Sequence, residues 1–283
     1  MAVKSCAIAL KLIKLAAIGA LAGALASCAT EPLPSAPDWN SQADECGNLL
    51  PYLTVDGGGP GNTIYGQSSG NALLFVGGMQ IVASGAPNAY NPNNISGLDD
   101  LKNAGSPGNW SGLATDSYGK PFVQSSAGKY PGFYISKTEL TDPEIGDSAE
   151  PGRYVDARHV PYVVLPGGKR AVEALNKAGM HLGDLVVVYN VRTQKTAGAV
   201  WADTDADDLG IGSINLARRL GYDDTSPRTG GTDTPENVYL LFPGTSRGFP
   251  RRVGDIEHSA YQTFASWGGQ TRMGNCAQAL NAH

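Results

Sequence analysis

Four short apolar runs constrain this chain more than any other feature: VPYVVL (160–165), DLVVVY (184–189), AGAVWA (197–202) and NVYLLF (237–242). Each is rich in β-branched or aromatic residues and short enough to be a strand rather than a core helix. Turn formers close them, with Pro166-Gly167-Gly168 after the first and Pro243-Gly244 after the last. The second and third runs flank a turn over 190–195, which predicts a β-hairpin. An earlier run, ALLFVGGMQIV (72–82), predicts a strand interrupted at Gly77-Gly78, and 130–136 predicts another. The Gly-rich segment 56–70 reads as loop, and 97–104 as one short helix. Residues 213–220 (SINLARRL) have helical spacing and end at Gly221, a C-cap position. With 37 Gly and 18 Pro in 283 residues, turns are too dense for long helices. The pattern predicts a mainly β barrel with a few short helices.

The N-terminal end belongs to a different argument. Lys4, Lys11 and Lys14 stand in a stretch without acids, an apolar run follows over 15–26, and Leu25-Ala26-Ser27-Cys28 comes next. This resembles a bacterial lipoprotein leader: a signal peptide over 1–27, with Cys28 lipidated as the first mature residue. The apolar run is too short to span a bilayer comfortably. Pro32, Pro34 and Pro37 make 28–45 an extended tether, leaving 46–283 as the globular domain. The expectation is an exported, monomeric protein, lipid-anchored in the bacterial envelope on the outer membrane, or secreted.

Three lysines leave with the leader, so 18 Lys+Arg face 26 Asp+Glu in the remainder, a net charge of −8. Such a body does not present a basic nucleic-acid face and suits a cationic ligand. With Cys6 removed and Cys28 lipidated, Cys46 and Cys276 remain. An oxidising compartment predicts a disulfide between them; two buried thiols are the alternative. The four histidines are scattered and no Cys-x-x-Cys occurs, so neither a metal nor another cofactor is expected.

The chemistry concentrates in 183–221: GDLVVVYN, a turn, then AVWADTDADDLGIGSINLARRLG. Further blocks are GAPNAYNP (85–92), GLDDLKNAG (97–105), PGNW (107–110), ATDSYGKPFVQ (114–124), PGFYIS (131–136), YVDARHVPYVVLPG (154–167) and VYLLFPG (238–244). In this order they resemble glycoside hydrolase family 75, the fungal-type endo-chitosanases, over about 73–248. The resemblance implies hydrolysis of β-1,4 links between glucosamine units with inversion. One carboxylate protonates the leaving oxygen and a second activates water on the opposite face. The family's Ala-Asp context carries over to Asp203, after Trp201-Ala202. Its Gly-Glu-Gly-Ser falls on Gly210-Ile211-Gly212-Ser213, so the catalytic Glu position holds Ile211, which transfers no proton.

Asp205, Asp207 and Asp208 in the same loop, and Asp156 in the YVDA block, are then the candidates for a second carboxylate. Trp201, Tyr154 and Ser213 are candidate substrate contacts, the aromatics by stacking on sugar rings. The strand, Asp, Gly-x-Gly, helix order also resembles double-psi β-barrel glycan-cleaving enzymes. That likeness implies a double-psi-like barrel and, as alternatives, a one-acid lytic transglycosylase or a glycan-binding protein that has lost its Glu. Two other motifs fail. Gly244-Thr245-Ser246-Arg247-Gly248 matches a nucleophile elbow, but Pro250 prevents the required helix. The acidic run from Asp203 has Asp208 and Ile214 where a calcium loop needs Gly and Glu.

Overall fold

The computed structural model describes residues 46–55, 62–67, 72–205, 208–250 and 252–283. The leader over 1–27, the tether over 28–45 with Cys28, and Asp207 lie outside the described residues.

Among the described residues there are ten strands and four α-helices. In chain order these are β1 (Leu49–Thr54), β2 (Thr63–Gln67), β3 (Leu73–Val82), β4 (Gly105–Ser106), β5 (Asn109–Trp110), β6 (Tyr162–Pro166), α1 (Lys169–Lys177), β7 (Leu185–Asn190), β8 (Lys195–Asp205), β9 (Ile211–Ser213), α2 (Ile214–Leu220), β10 (Thr232–Phe242), α3 (Val253–Trp267) and α4 (Gly269–Ala279). Six of the strands close a barrel in the order β3-β10-β7-β8-β6-β9, with β9 returning to β3; β2 and then β1 extend from β3. Two barrel pairs are parallel, β6 with β8 and β3 with β9, and the rest are antiparallel. The fold is thus mainly β, a six-stranded closed barrel with a few short helices, as expected from the sequence.

The apolar runs become barrel strands because they are buried on both faces. Every residue of β6 and of β7 is buried. β7 and β8 form the predicted hairpin, paired from Leu185↔Val200 to Asn190↔Lys195. Across the outer face of β7 and β8 lies α3, whose buried residues Ile256, Ala260, Phe264 and Trp267 recur at helical spacing. Phe75 and Tyr239 stack across the barrel pair β3–β10, ring centroids 4.5 Å apart.

The helix read from 213–220 forms as α2. The Ser213 side chain accepts from the Leu216 amide, and Gly221 closes the helix at φ 82°. Cys46 and Cys276 are joined by a disulfide with Cα atoms 4.9 Å apart, fastening the first described residue to α4. No helix among the described residues is long and apolar enough to cross a membrane.

Several expectations need correction. β3 is not interrupted at Gly77-Gly78 but runs through them, because the pair admits a close crossing: a Cβ on Gly78 would lie 2.2 Å from the Thr232 carbonyl oxygen. That crossing is held by Asn237 Nδ2 and the Tyr239 hydroxyl, both donating to the Gly78 carbonyl. The loop expected over 56–70 contains β2, which gains its partners from β1 and β3 rather than from its own propensity. The helix expected over 97–104 is reduced to a 3₁₀ turn at Leu101–Ala104. The strand expected at 130–136 is present only as single bridges, Val123↔Tyr134 and Leu113↔Ser136.

Candidate active site

The site begins with an irregularity in β8. Along the parallel pair, Val163 faces Trp201 but Val164 faces Asp203, so Ala202 has no partner on β6. Such a bulge re-aims the side chains that follow it. Two of its carbonyls find partners outside the β6 ladder. The Ala202 carbonyl accepts from the Leu140 amide at 2.9 Å, and the Trp201 indole donates to the Asp203 carbonyl at 2.8 Å.

Asp203 thereby faces a cleft of about 490 Å³. One wall is the barrel rim: Val82 at the end of β3 with Ser84 just beyond it, Val164 in β6 with Gly167 and Gly168 just beyond that strand, and Asp203 to Asp205 at the end of β8. The other wall comes from the segment between β3 and β6, through Asn103, Ser111, Gly112, Lys137 and Glu139. The segment docks on the bulge by two consecutive amides: Leu140 bonds to Ala202 as above, and Glu139 donates to Asp203 Oδ1 at 3.1 Å.

The environment of Asp203 sets its chemistry. The residue is half-buried, but its carboxyl is packed round by protein, and burial pushes its pKa up from the ordinary carboxylate value to about 7. The amides of Glu139 and Thr204 and the Ser84 side chain favour the ionised form and only partly offset burial. The negative charge of Glu139 adds to the rise. Tyr90 and Tyr162 lie close enough to feel the same carboxylate, and burial keeps both hydroxyls protonated well above the usual range. A carboxyl that is protonated near neutrality and lines an open cleft can deliver a proton to a glycosidic oxygen.

The other residues singled out from the sequence fall in different places. Asp205 lines the same cleft. Asp208 instead borders a separate cavity of about 550 Å³, with Gly77, Gly78 and Gly210. Asp156 is not among the residues lining the cleft. Its carboxylate is bound by Arg158 at 3.0 Å and His159 at 2.8 Å. Burial would raise its pKa, but the bonds from Arg158 and His159 prevail and hold it below the ordinary value. Trp201 is buried and acts on Asp203 through its indole rather than as an exposed platform. Tyr154 is also buried, its hydroxyl donating to the Ser148 carbonyl. Ser213 is fully buried: besides capping α2, it accepts from the Tyr162 amide and donates to the Val160 carbonyl. Ile211 sits in the core on β9, opposite Gln80 and Val164.

Glu139 did not stand out in the sequence. It follows the PGFYIS block without belonging to a motif, and nothing local places it beside Asp203, which is 64 residues away. The trace it leaves is an alternation: Thr138 and Leu140 are buried on either side while Glu139 is exposed.

No curated protein matches the chain with significant similarity. A family model described as the fungal chitosanase of glycosyl hydrolase group 75 matches residues 123–275, more than half of the chain. The match takes in both Glu139 and the bulged strand that carries Asp203. The chain belongs to glycosyl hydrolase group 75, the fungal chitosanase family.

Proposed function

We propose that this protein is an endo-acting glycoside hydrolase of the chitosanase type, cleaving β-1,4 links in an amino-sugar polysaccharide with Asp203 as the proton donor. The observation that carries this reading is the Asp203 carboxyl in the cleft, raised to about 7 by burial. A glycosidase acid must hold its proton at working pH and release it to a leaving oxygen of similar demand. The acidic cleft, with Asp205 and Glu139 beside Asp203, favours a polymer that carries positive charge. The basic, apolar and cysteine-ended N-terminus supports export and lipid anchoring at Cys28 in the bacterial envelope.

Product analysis tests the reading. Full-length protein purified in detergent is incubated with chitosan, and separately with peptidoglycan, and the products are identified by mass spectrometry. Glucosamine oligomers are expected from chitosan, and Asp203→Asn should slow their release by about 10²–10⁴-fold while the protein stays folded. Anhydro-sugar products from peptidoglycan, or no turnover on chitosan, would overturn it.

A further inference from the structure

We propose that Glu139 is the second catalytic carboxylate, the base that takes a proton from the attacking water, in place of the Glu that the family pattern puts at Ile211. The inference rests on the chitosanase reading above and names a residue that this reading leaves open.

Inversion needs the acid and the base on opposite faces of the scissile sugar. The cleft has two walls, and Asp203 occupies the barrel wall together with Asp205, two positions further along the same strand. Among the described residues lining the cleft, Glu139 is the carboxylate that comes from the segment between β3 and β6 rather than from β8. Ile211 offers no substitute, being 1% exposed and apolar within the core.

The geometry suits the role. Glu139's own amide lies 3.1 Å from Asp203 Oδ1. A glutamate carboxyl reaches about 5 Å from its backbone nitrogen. The two carboxyls can therefore stand apart by the roughly 6.5–9.5 Å that leaves room for a water and a sugar. The backbone that carries Glu139 is fixed on both sides. Thr138 Oγ1 donates to the Leu140 carbonyl at 2.8 Å and accepts from the Val155 amide at 3.0 Å, and the Leu140 amide is bound to Ala202. The side chain itself is 49% exposed, with Lys137 Nζ at 4.0 Å, so it meets solvent water while its backbone is held against Asp203.

The step balances. Water oxygen bonds to the anomeric carbon as Glu139 takes one of the water protons. The bond from that carbon to the leaving oxygen breaks, its electron pair stays on the oxygen, and Asp203 protonates it. Glu139 ends protonated and Asp203 ionised, and exchange with solvent restores both.

Full-length wild type, Asp203→Asn, Glu139→Gln and Asp205→Asn are assayed side by side on chitosan by reducing-end release, with folding checked by thermal melting. Glu139→Gln should lose about 10²–10⁴-fold in kcat with little change in KM. Asp205→Asn should lose less than Glu139→Gln. Azide added to Glu139→Ala should restore turnover and give the inverted glycosyl azide, which a carboxylate that only tunes or positions Asp203 would not do. An active wild type with Glu139→Gln within roughly tenfold of it, or with Asp205→Asn the more damaged variant, overturns the assignment and leaves the chitosanase reading intact. A wild type silent on chitosan overturns that reading, and the assignment with it.

Discussion

On one side of the cleft, β6 and β8 run side by side as part of a closed barrel, every strand paired on both edges. On the other, residues between β3 and β6 make two-residue strands, two 3₁₀ turns and single bridges such as Thr115↔Pro121 and Thr141↔Tyr154. That wall is held instead by side chains that replace ladder hydrogen bonds. Asp116 accepts from the amides of Tyr118 and Lys120, Asp142 from Glu144, and Asp147 from Ala149. The two walls meet at the bulge, where two amides of the irregular wall bond to Ala202 and Asp203 of the regular one. The difference teaches that one acid can be specified by fold topology, whereas its neighbour depends on a handful of local contacts.

The largest expected effect sharpens the barrel side. Asp203 has a folded pKa of about 7, above its unfolded value, so the folded state binds the extra proton. Stability from this group is full below the unfolded pKa and is lost as pH rises through about 7. At about 1.4 kcal/mol per unit, the loss is on the order of 4 kcal/mol. Asp203→Asn should remove it, so denaturant midpoints of variant and wild type should diverge as pH rises from 4 to 8, with the variant the more stable at the alkaline end. Parallel curves would mean that the carboxyl is better solvated than its setting implies. The same titration should set the alkaline limb of the rate profile, with turnover falling above about pH 7 as Asp203 loses its proton.

A smaller effect tests the irregular wall. Thr138→Val keeps the shape but removes the hydroxyl that serves Leu140 and Val155. Leaving those buried groups unpaired should cost about 1–3 kcal/mol in chemical denaturation. It should also lower kcat, because Glu139 rides on that backbone; an unchanged kcat would separate the anchor from the site. A test of similar size returns to the barrel. Ser213→Ala removes the α2 cap and the buried partner of the Tyr162 amide and the Val160 carbonyl, and should cost about 1–3 kcal/mol, read as a lower melting temperature.

The same division explains what was legible in the sequence. The barrel wall could be read because β-branched runs buried on both faces keep a recognisable composition, as in VPYVVL and DLVVVY. The α2 boundaries could be read because Ser213 and Gly221 carry the capping chemistry in their own side chains or backbone. Asp203 was reachable through the Trp-Ala-Asp context. Glu139 was not, since its place is set by a contact 64 residues away and by the burial of its two neighbours. The aromatic residues were misleading for a related reason. Trp201 and Tyr154 have the right surfaces for stacking on a sugar, but composition does not tell which side of a strand faces the cleft, and both are buried. The long α3 was also passed over, because Gly254, Ser259 and Ser266 dilute an apolar stripe that is continuous only at helical spacing.

The disulfide between Cys46 and Cys276 has a consequence for how this protein would age in a protease-rich setting. It encloses nearly the whole globular domain, with 230 positions separating the two sulfurs in sequence. A single cut in any surface loop between them would therefore leave both fragments covalently joined, and the barrel pairs on either side of the cut would keep their partners. Damage of that kind would be invisible by size until the bond is reduced, and a nicked molecule could keep both walls of its cleft in place.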